Sequence, residues 1–139
     1  MPFDLERFVE AQAPIYSRVV SELRAGEKRS HWMWYIFPQI AGLGFSSISK
    51  RYAIASLDEA VAYLAHPVLG ARLRECTALV NAIEGRELSD IFGYPDDLKF
   101  HSSMTLFAEA APEEAVFQSA LAKYFNGERD QATLKRLRG

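Results

Sequence analysis

The sequence has 139 residues, 49% of them hydrophobic and 24% charged, which excludes a disordered chain and fits one globular domain over residues 1–139. Sixteen basic and eighteen acidic residues give a formal net charge of -2, which disfavours nucleic acid as a partner. The single cysteine, Cys76, excludes an intrachain disulfide and a thiolate metal cluster.

The N-terminal residues and the hydropathy pattern bear on the cellular compartment. The chain begins with a polar, helix-like segment instead of the basic start and apolar run of a secretory signal. No apolar stretch approaches the ~18–20 residues that are needed to span a bilayer. We therefore expect a cytoplasmic protein without a membrane partner.

Apolar residues at helical spacing predict two helices near the N-terminus. Asp4 is placed to cap the first helix, Pro14 to begin the second and Gly26 to end it. Residues 27–55 are irregular by pattern, and their one short helix is stopped by Pro38. This part of the chain therefore shows no long helical pattern from which a buried face could be predicted.

Regular helical patterns return after residue 55. Ser56 and Glu59 have the spacing of a capping box, in which each side chain bonds the backbone amide of the other. Apolar residues then recur every three or four positions from Leu69 to Ile83, which predicts a central core helix. Cys76 lies on this apolar face, so we expect it to be buried and unreactive.

The remaining sequence predicts three more helices. Residues 97–108 follow a turn, Pro112 opens the next helix, and Asp130 caps a short tail over 131–138. No stretch alternates convincingly between polar and apolar residues. The predicted fold is all-α, with six to eight helices in one compact domain.

Residues 28–39 look unlike ordinary core or ordinary surface. Two cations and a histidine precede both tryptophans of the chain. Aromatic faces beside cations suit a planar ring and its phosphate. We predict His31 as a catalytic residue, and the predicted ligand-binding residues are Lys28, Arg29, Ser30, Trp32, Trp34, Tyr35 and Gln39. The alternative is that this segment plugs the core and its indoles are simply packed.

A second unusual segment covers residues 96–105. On a helix, Lys99, Ser102 and Ser103 lie along one side, and we predict that they bind the ligand. His101 can face Asp97 at helical spacing, a pairing that would raise its basicity, so we predict both as catalytic. The alternative is a capped helix with ordinary polar residues on its exposed side.

Metal and phosphate motifs are weak in this sequence. The three histidines have no metal-ligand spacing, so we predict neither a metal nor a cofactor. Gly42 and Gly44, followed by Lys50 and Arg51, could accept a phosphate at a helix N-terminus. Two glycines without a preceding strand fall short of a phosphate-loop fingerprint.

Several stretches together carry a family resemblance, namely 29–39, 52–54, 64–70, 92–93 and 97–107. In these the sequence resembles the bacterial family catalogued as domain of unknown function 1810, over nearly its whole length. The resemblance implies a multihelical fold and almost nothing about activity. Some members carry a calpastatin-like label, but inhibitors of that kind are long, disordered and repetitive, and this chain is none of these.

A second similarity is one of helical pattern. An aromatic motif, then a helix with Pro67 and Arg72, then a helix with Lys99 follow one another in an order similar to that of the NADAR family. Those proteins are linked to hydrolysis of N-glycosidic bonds in nucleotide metabolites. The similarity implies a nucleotide-like substrate.

Two functional hypotheses follow. In the first, both unusual segments line one pocket that binds or hydrolyses a small anionic, nucleotide-like ligand, which requires His31 and Lys99 to share that pocket. In the second, the chain is a non-enzymatic protein-interaction module, with an exposed patch formed by Trp32, Phe37 or Phe45.

Overall fold

The computed structural model describes residues 3–138, and its regular structure there consists of helices connected by short loops. The helices are α1 (Glu6–Gln12), α2 (Tyr16–Arg24), α3 (Met33–Ile36), α4 (Ser47–Arg51), α5 (Leu57–Ala65), α6 (Leu69–Ala82), α7 (Leu88–Phe92), α8 (Asp96–Ala110), α9 (Ala115–Phe125) and α10 (Gln131–Arg138). The predicted all-α class is confirmed.

The predicted number of six to eight helices is wrong, because residues 3–138 contain ten. Three of them, α3, α4 and α7, are only four or five residues long. An apolar period cannot develop in a single helical turn, so such helices leave little trace in a sequence. The helix α7 lies between Gly85 and the turn before residue 97, a stretch for which the sequence pattern predicted no helix.

The core is built around α6 and α8. The predicted apolar face of α6 is buried from Leu69 to Val80, with Cys76 inside it, whereas its last member, Ile83, follows the end of the helix and is half-buried. Burial raises the pKa of the Cys76 thiol to about 12, which keeps it protonated and supports the expectation that it is unreactive. The helix α8 packs against α5, α7, α9 and α10, and residues 102–108 are all buried. A helical segment that is enclosed on every side has no solvent-facing side, which is why residues 102–108 of α8 show no clear apolar stripe.

Helix α5 begins with half of the predicted capping box. The Ser56 hydroxyl accepts the backbone N–H of Glu59 at 3.2 Å, as expected. The Glu59 carboxylate does not return to Ser56, because it accepts the backbone N–H of Ala55 at 2.6 Å and the guanidinium of Arg7 at 3.1 Å. Glu59 therefore joins α5 to α1 instead of closing a local box.

Arg7 ties the irregular segment 51–55 to the N-terminal helix. Its Nε donates to the carbonyl of Arg51 and its Nη2 to the carbonyl of Ala53, each at 2.8 Å. The next residue, Ile54, forms a parallel bridge with Ile40. The two irregular segments around positions 40 and 54 thus lie side by side on the helical core.

None of the helices within residues 3–138 combines the length and the apolar character that crossing a membrane requires.

Candidate functional site

A hollow of about 130 Å³ lies where α3, α4, the loop around residue 40 and the start of α8 meet. It adjoins a wider groove of about 470 Å³, and both are lined by Trp34, Gln39 and Lys99. The two unusual segments of the sequence therefore come together here through these three residues. The polar and aromatic lining residues of the hollow are Trp34, Phe37, Gln39, Ser49, Lys50, Tyr52 and Lys99.

The hollow has a positive electrostatic character. Lys50 and Lys99 line it, and no carboxylate is among its lining residues in the described chain. The Lys99 ammonium lies 3.3 Å from Asp96, but the same carboxylate is 2.8 Å from the ammonium of Lys28. One negative charge is thus shared by two positive charges, which leaves an excess that favours an anion.

Several polar groups in the hollow have unused hydrogen-bonding capacity. The Trp34 indole N–H, the Gln39 amide and the Lys50 ammonium donate no hydrogen bond to any other residue between 3 and 138. Lys99 also lies over the Trp34 ring, at 5.0 Å from its centroid. Groups of this kind at the wall of a hollow are suited to contact a ligand.

The buried carboxylate of Glu22 organises the segment that precedes the hollow. It accepts hydrogen bonds from the Ser30 hydroxyl at 2.5 Å, the Arg29 backbone at 2.7 Å and the Trp32 indole at 2.9 Å. Burial alone would raise the pKa of Glu22, but these hydrogen bonds outweigh it and lower the pKa to about 2. Ser30 and Trp32 therefore have structural partners.

Two of the predicted aromatic contacts do not fit the structure. Trp32 is 1% exposed, so its ring is not open to a ligand, and it cannot form part of an exposed patch. Phe37 is equally buried and packs edge-on against Phe100. Tyr35 is half-buried with its ring 4.8 Å from that of Tyr52, a wall residue of the hollow.

His31 and the nearby cations lie away from the hollow wall. His31 is exposed and is not among the lining residues of the hollow or the groove within residues 3–138. Arg29 is also exposed and pairs with Glu27 at 3.2 Å. Lys28 lies 5.3 Å from the Trp32 ring. It is connected to Lys99 only through Asp96, whose carboxylate pairs with both ammonium groups. The expected sharing of one pocket by His31 and Lys99 is therefore not observed.

His101 lines the groove, but its contacts differ from the predicted ones. Its Nε2 is 2.8 Å from the carbonyl of Glu128, and its ring stacks on Phe125 at 3.9 Å. The Asp97 carboxylate instead accepts the backbone N–H of Leu98 at 2.9 Å, close to the helix start. The proposed Asp97–His101 pairing is absent from the hydrogen bonds of the described chain.

The two neighbouring serines have different surroundings. The Ser102 hydroxyl borders the groove and donates to Asp130 at 3.0 Å. Ser103 is 0% exposed, and its hydroxyl has no hydrogen-bond partner among residues 3–138. Ser103 therefore faces the protein interior, which does not fit its predicted contact with a ligand.

The Ser103 hydroxyl gives a stability prediction. Replacing Ser103 with alanine should leave the free energy of unfolding unchanged or raise it by up to about 1 kcal/mol, since an unsatisfied buried hydroxyl is removed. Replacing Ser102 with alanine, the matched change, should lower it by about 1 kcal/mol because Asp130 loses a donor. Urea denaturation measures both free energies of unfolding. A larger decrease for Ser103→Ala than for Ser102→Ala would show that the Ser103 hydroxyl does have a hydrogen-bond partner.

Sequence reasoning missed part of the lining. Tyr52 and Ser49 belong to the hollow, and Asp130 and Phe45 belong to the groove, although none was singled out as a ligand contact. Lys50 belongs to the weak phosphate motif that begins with Gly42 and Gly44, and this motif is the sequence signal for this wall.

Comparisons with known proteins place these features in context. A family profile described as "Protein of unknown function (DUF1810)" matches residues 2–137. The crystal structure of the conserved hypothetical protein Rv1873 from Mycobacterium tuberculosis is similar, with 57% sequence identity and a TM-score of 0.98. That alignment covers 100% of this chain and 99% of the other. No curated protein matches the chain.

Proposed function

The chain belongs to the family of proteins of unknown function DUF1810, and from this starting point we propose that its hollow binds a small anionic, nucleotide-like ligand. The observation that carries the proposal is a hollow with Lys50 and Lys99 in its wall and no carboxylate among its described lining residues. The anionic group lies between these two ammonium groups. Charge-assisted hydrogen bonds of this kind are stronger than neutral ones.

The ring of the ligand lies against Trp34. This indole lines both the hollow and the groove, so one molecule can extend from the first into the second. The groove, at about 470 Å³, is within the size range of small-molecule sites. Leu98 and Phe45 add apolar surface to its walls, while Gln39 offers an amide with unused donors and acceptor.

The geometry supports binding more than hydrolysis. A general acid or base must come within hydrogen-bond reach of the reacting group. His31 lies outside the hollow, His101 is engaged by a backbone carbonyl, and Asp97 caps its own helix. None of the three residues predicted as catalytic is thus placed for hydrolysis in the hollow, whereas Lys50 and Lys99 are both placed to bind an anion there.

Substitution of Lys99 tests the proposal. In a thermal-shift screen of mononucleotides and aromatic monoanions, the wild-type protein should show a ligand that raises Tm, since binding to the folded state adds about 2.7 kcal/mol when the ligand is at a hundred times Kd. The Lys99→Gln variant should lose this shift, because it removes one of two cations at the anion.

His31→Ala serves as the matched control. This variant should keep the ligand-induced shift, since the exposed imidazole is outside the hollow. The unliganded Tm of both variants should stay close to that of the wild type. A shift that survives in Lys99→Gln and disappears in His31→Ala would contradict the proposal and restore the site around His31.

A second candidate function rests on exposed apolar residues beside the same groove. Phe45 is 88% exposed, Tyr94 81% and Leu98 53%, and Phe45 and Leu98 both line the groove. Such a cluster is typical of a surface that a protein partner covers. The interaction module predicted from the sequence would then use Phe45 and Leu98, with no part for the buried Trp32.

A further inference from the structure

The groove beside the hollow has a carboxylate in its wall, that of Asp130. Among the described lining residues it is the one carboxylate of the groove, whereas the hollow has none. Lys50 lines the hollow alone, and Lys99 lines both parts. The wall of the combined site therefore changes from positive in the hollow to negative at the far part of the groove.

The two oxygens of the Asp130 carboxylate have different surroundings. Oδ2 accepts the backbone N–H of Thr133 at 3.1 Å, which forms the predicted cap of α10, the Thr133 hydroxyl at 2.6 Å and the Ser102 hydroxyl at 3.0 Å. Oδ1 accepts no hydrogen bond from residues 3–138, and Asp130 forms no ion pair with them. The buried side-chain atoms without a partner in this part of the chain belong to Asn81 and Ser103, so Oδ1 of Asp130 is accessible.

Ser102 places Asp130 about one helical turn along α8 from Lys99. Lys99 and Ser102 are three residues apart, so they lie on the same side of the helix and about 4.5 Å apart along its axis. The Ser102 hydroxyl holds the Asp130 carboxylate, and all three residues line the groove. A molecule with its anionic end at Lys99 and a single ring therefore extends towards Asp130.

An accessible carboxylate oxygen without a partner favours a hydrogen-bond donor. A carboxylate only accepts hydrogen bonds, and its bonds are stronger than those between neutral groups. An alkyl group at the same place would displace water from the oxygen without replacing its hydrogen bond, which costs free energy. A second anionic group there would be repelled by Asp130.

We infer that the groove binds a hydrogen-bond donor of the ligand, an ammonium or a hydroxyl group, through Oδ1 of Asp130. The inference rests on the proposed function and narrows it to ligands with an anion at one end and a donor at the other. Asp130 determines specificity in this site, while Lys50 and Lys99 provide affinity for the anion. The sugar hydroxyls of a nucleotide-like ligand meet this requirement, and a plain alkyl-substituted aromatic acid does not.

Calorimetric titration with three para-substituted benzoates tests the inference. The probes are 4-(aminomethyl)benzoate, 4-(hydroxymethyl)benzoate and 4-ethylbenzoate, which share the carboxylate and the ring and differ in one terminal group of similar size. At about pH 7.5 the carboxylate is ionised and the amine is protonated. The aminomethyl probe should bind the wild-type protein roughly tenfold more tightly than the ethyl probe, and the hydroxymethyl probe roughly threefold more tightly. Whichever of the two binds more tightly identifies the donor as an ammonium or a hydroxyl group.

Variants at two neighbouring acidic residues assign the preference to Asp130. In Asp130→Asn the preference for both donor probes over the ethyl probe should fall to about twofold or less, because the amide oxygen takes over the bonds of Oδ2 and the NH2 group replaces Oδ1. Asparagine caps helices about as well as aspartate, so α10 should stay folded. Glu128→Gln is the matched control: it removes the same charge from an exposed side chain that lines neither the hollow nor the groove, and the preference should stay unchanged.

The ratio of two affinities on the same protein is the readout, so it holds even if a variant is partly unfolded. Equal affinity of the wild-type protein for all three probes would overturn the inference while leaving anion binding intact. An unchanged ratio in Asp130→Asn, or an equal fall in Glu128→Gln, would remove Asp130 from the site. Failure of every probe to bind would overturn the proposed function as well.

Discussion

Replacing Arg7 with alanine is expected to lower the free energy of unfolding by about 3–5 kcal/mol, as for other broken buried ion pairs. The side chains of Arg7 and Glu59 are only 14% and 3% exposed, and the variant would leave the Glu59 carboxylate without its counterion. It would also leave the carbonyls of Arg51 and Ala53 without the guanidinium donors. Urea denaturation of the variant and the wild-type protein measures the difference.

The control for this prediction is an exposed ion pair in the same molecule. Arg29 and Glu27 are 68% and 48% exposed, and solvent-exposed pairs contribute about 0–1 kcal/mol. Arg29→Ala should therefore change stability little. If Arg7→Ala lowered the free energy of unfolding as little as Arg29→Ala, the segment 51–55 would not depend on Arg7 for its position.

Glu22→Gln is the second change with a large expected effect, a loss of about 3 kcal/mol in the free energy of unfolding. The carboxylate accepts four hydrogen bonds, two from the backbone and one each from Ser30 and Trp32. A glutamine can keep one oxygen for the backbone N–H groups and the Trp32 indole, but its NH2 group would replace the oxygen that accepts the Ser30 hydroxyl. The negative charge that strengthens the remaining hydrogen bonds would also be lost.

The same carboxylate predicts a pH dependence with a definite sign. Burial opposes ionisation of Glu22, but its hydrogen-bond donors lower the pKa from 4.5 to about 2 in the folded protein. A group with a lowered pKa stabilises the folded state above its unfolded pKa and loses that contribution as pH falls. Stability should therefore decrease as the pH drops from about 4.5 towards 2.

Denaturation midpoints at several pH values check this expectation. The decrease should be smaller in Glu22→Gln, which has no ionisable group at this position. Glu27→Gln is the matched control, because Glu27 is exposed and its loss should leave the pH dependence as in the wild-type protein. An identical pH profile for the wild-type protein and Glu22→Gln would show that another carboxylate is responsible.

The helical fold could be predicted from sequence wherever a helix is long and buried on one face. The spacing from Leu69 to Val80 identified the core face of α6. The same method failed for α7, because a single turn has no period, and its cap uses Glu87 and Asp90 through backbone contacts. It also gave no sign that residues 102–108 of α8 are enclosed on all sides, since that depends on how four other helices pack around them.

The candidate site could be predicted only in part. Trp34, Gln39 and Lys99 were predicted as ligand contacts because they lie in two segments rich in polar and aromatic residues. The fold brings these three residues together. His31 lies outside the hollow because the short helix before Pro38 begins only at Met33. The Glu22 carboxylate holds the backbone N–H groups of Arg29 and Ser30, and this contact follows no local sequence rule.

Asp130 holds one wall of the groove in a fixed geometry. Its carboxylate accepts the Ser102 hydroxyl of α8 and both the backbone N–H and hydroxyl of Thr133 in α10. One side chain thereby couples α8 to α10 at the groove. This part of the wall is preorganised, so a molecule that contacted it would lose little binding free energy to ordering the protein.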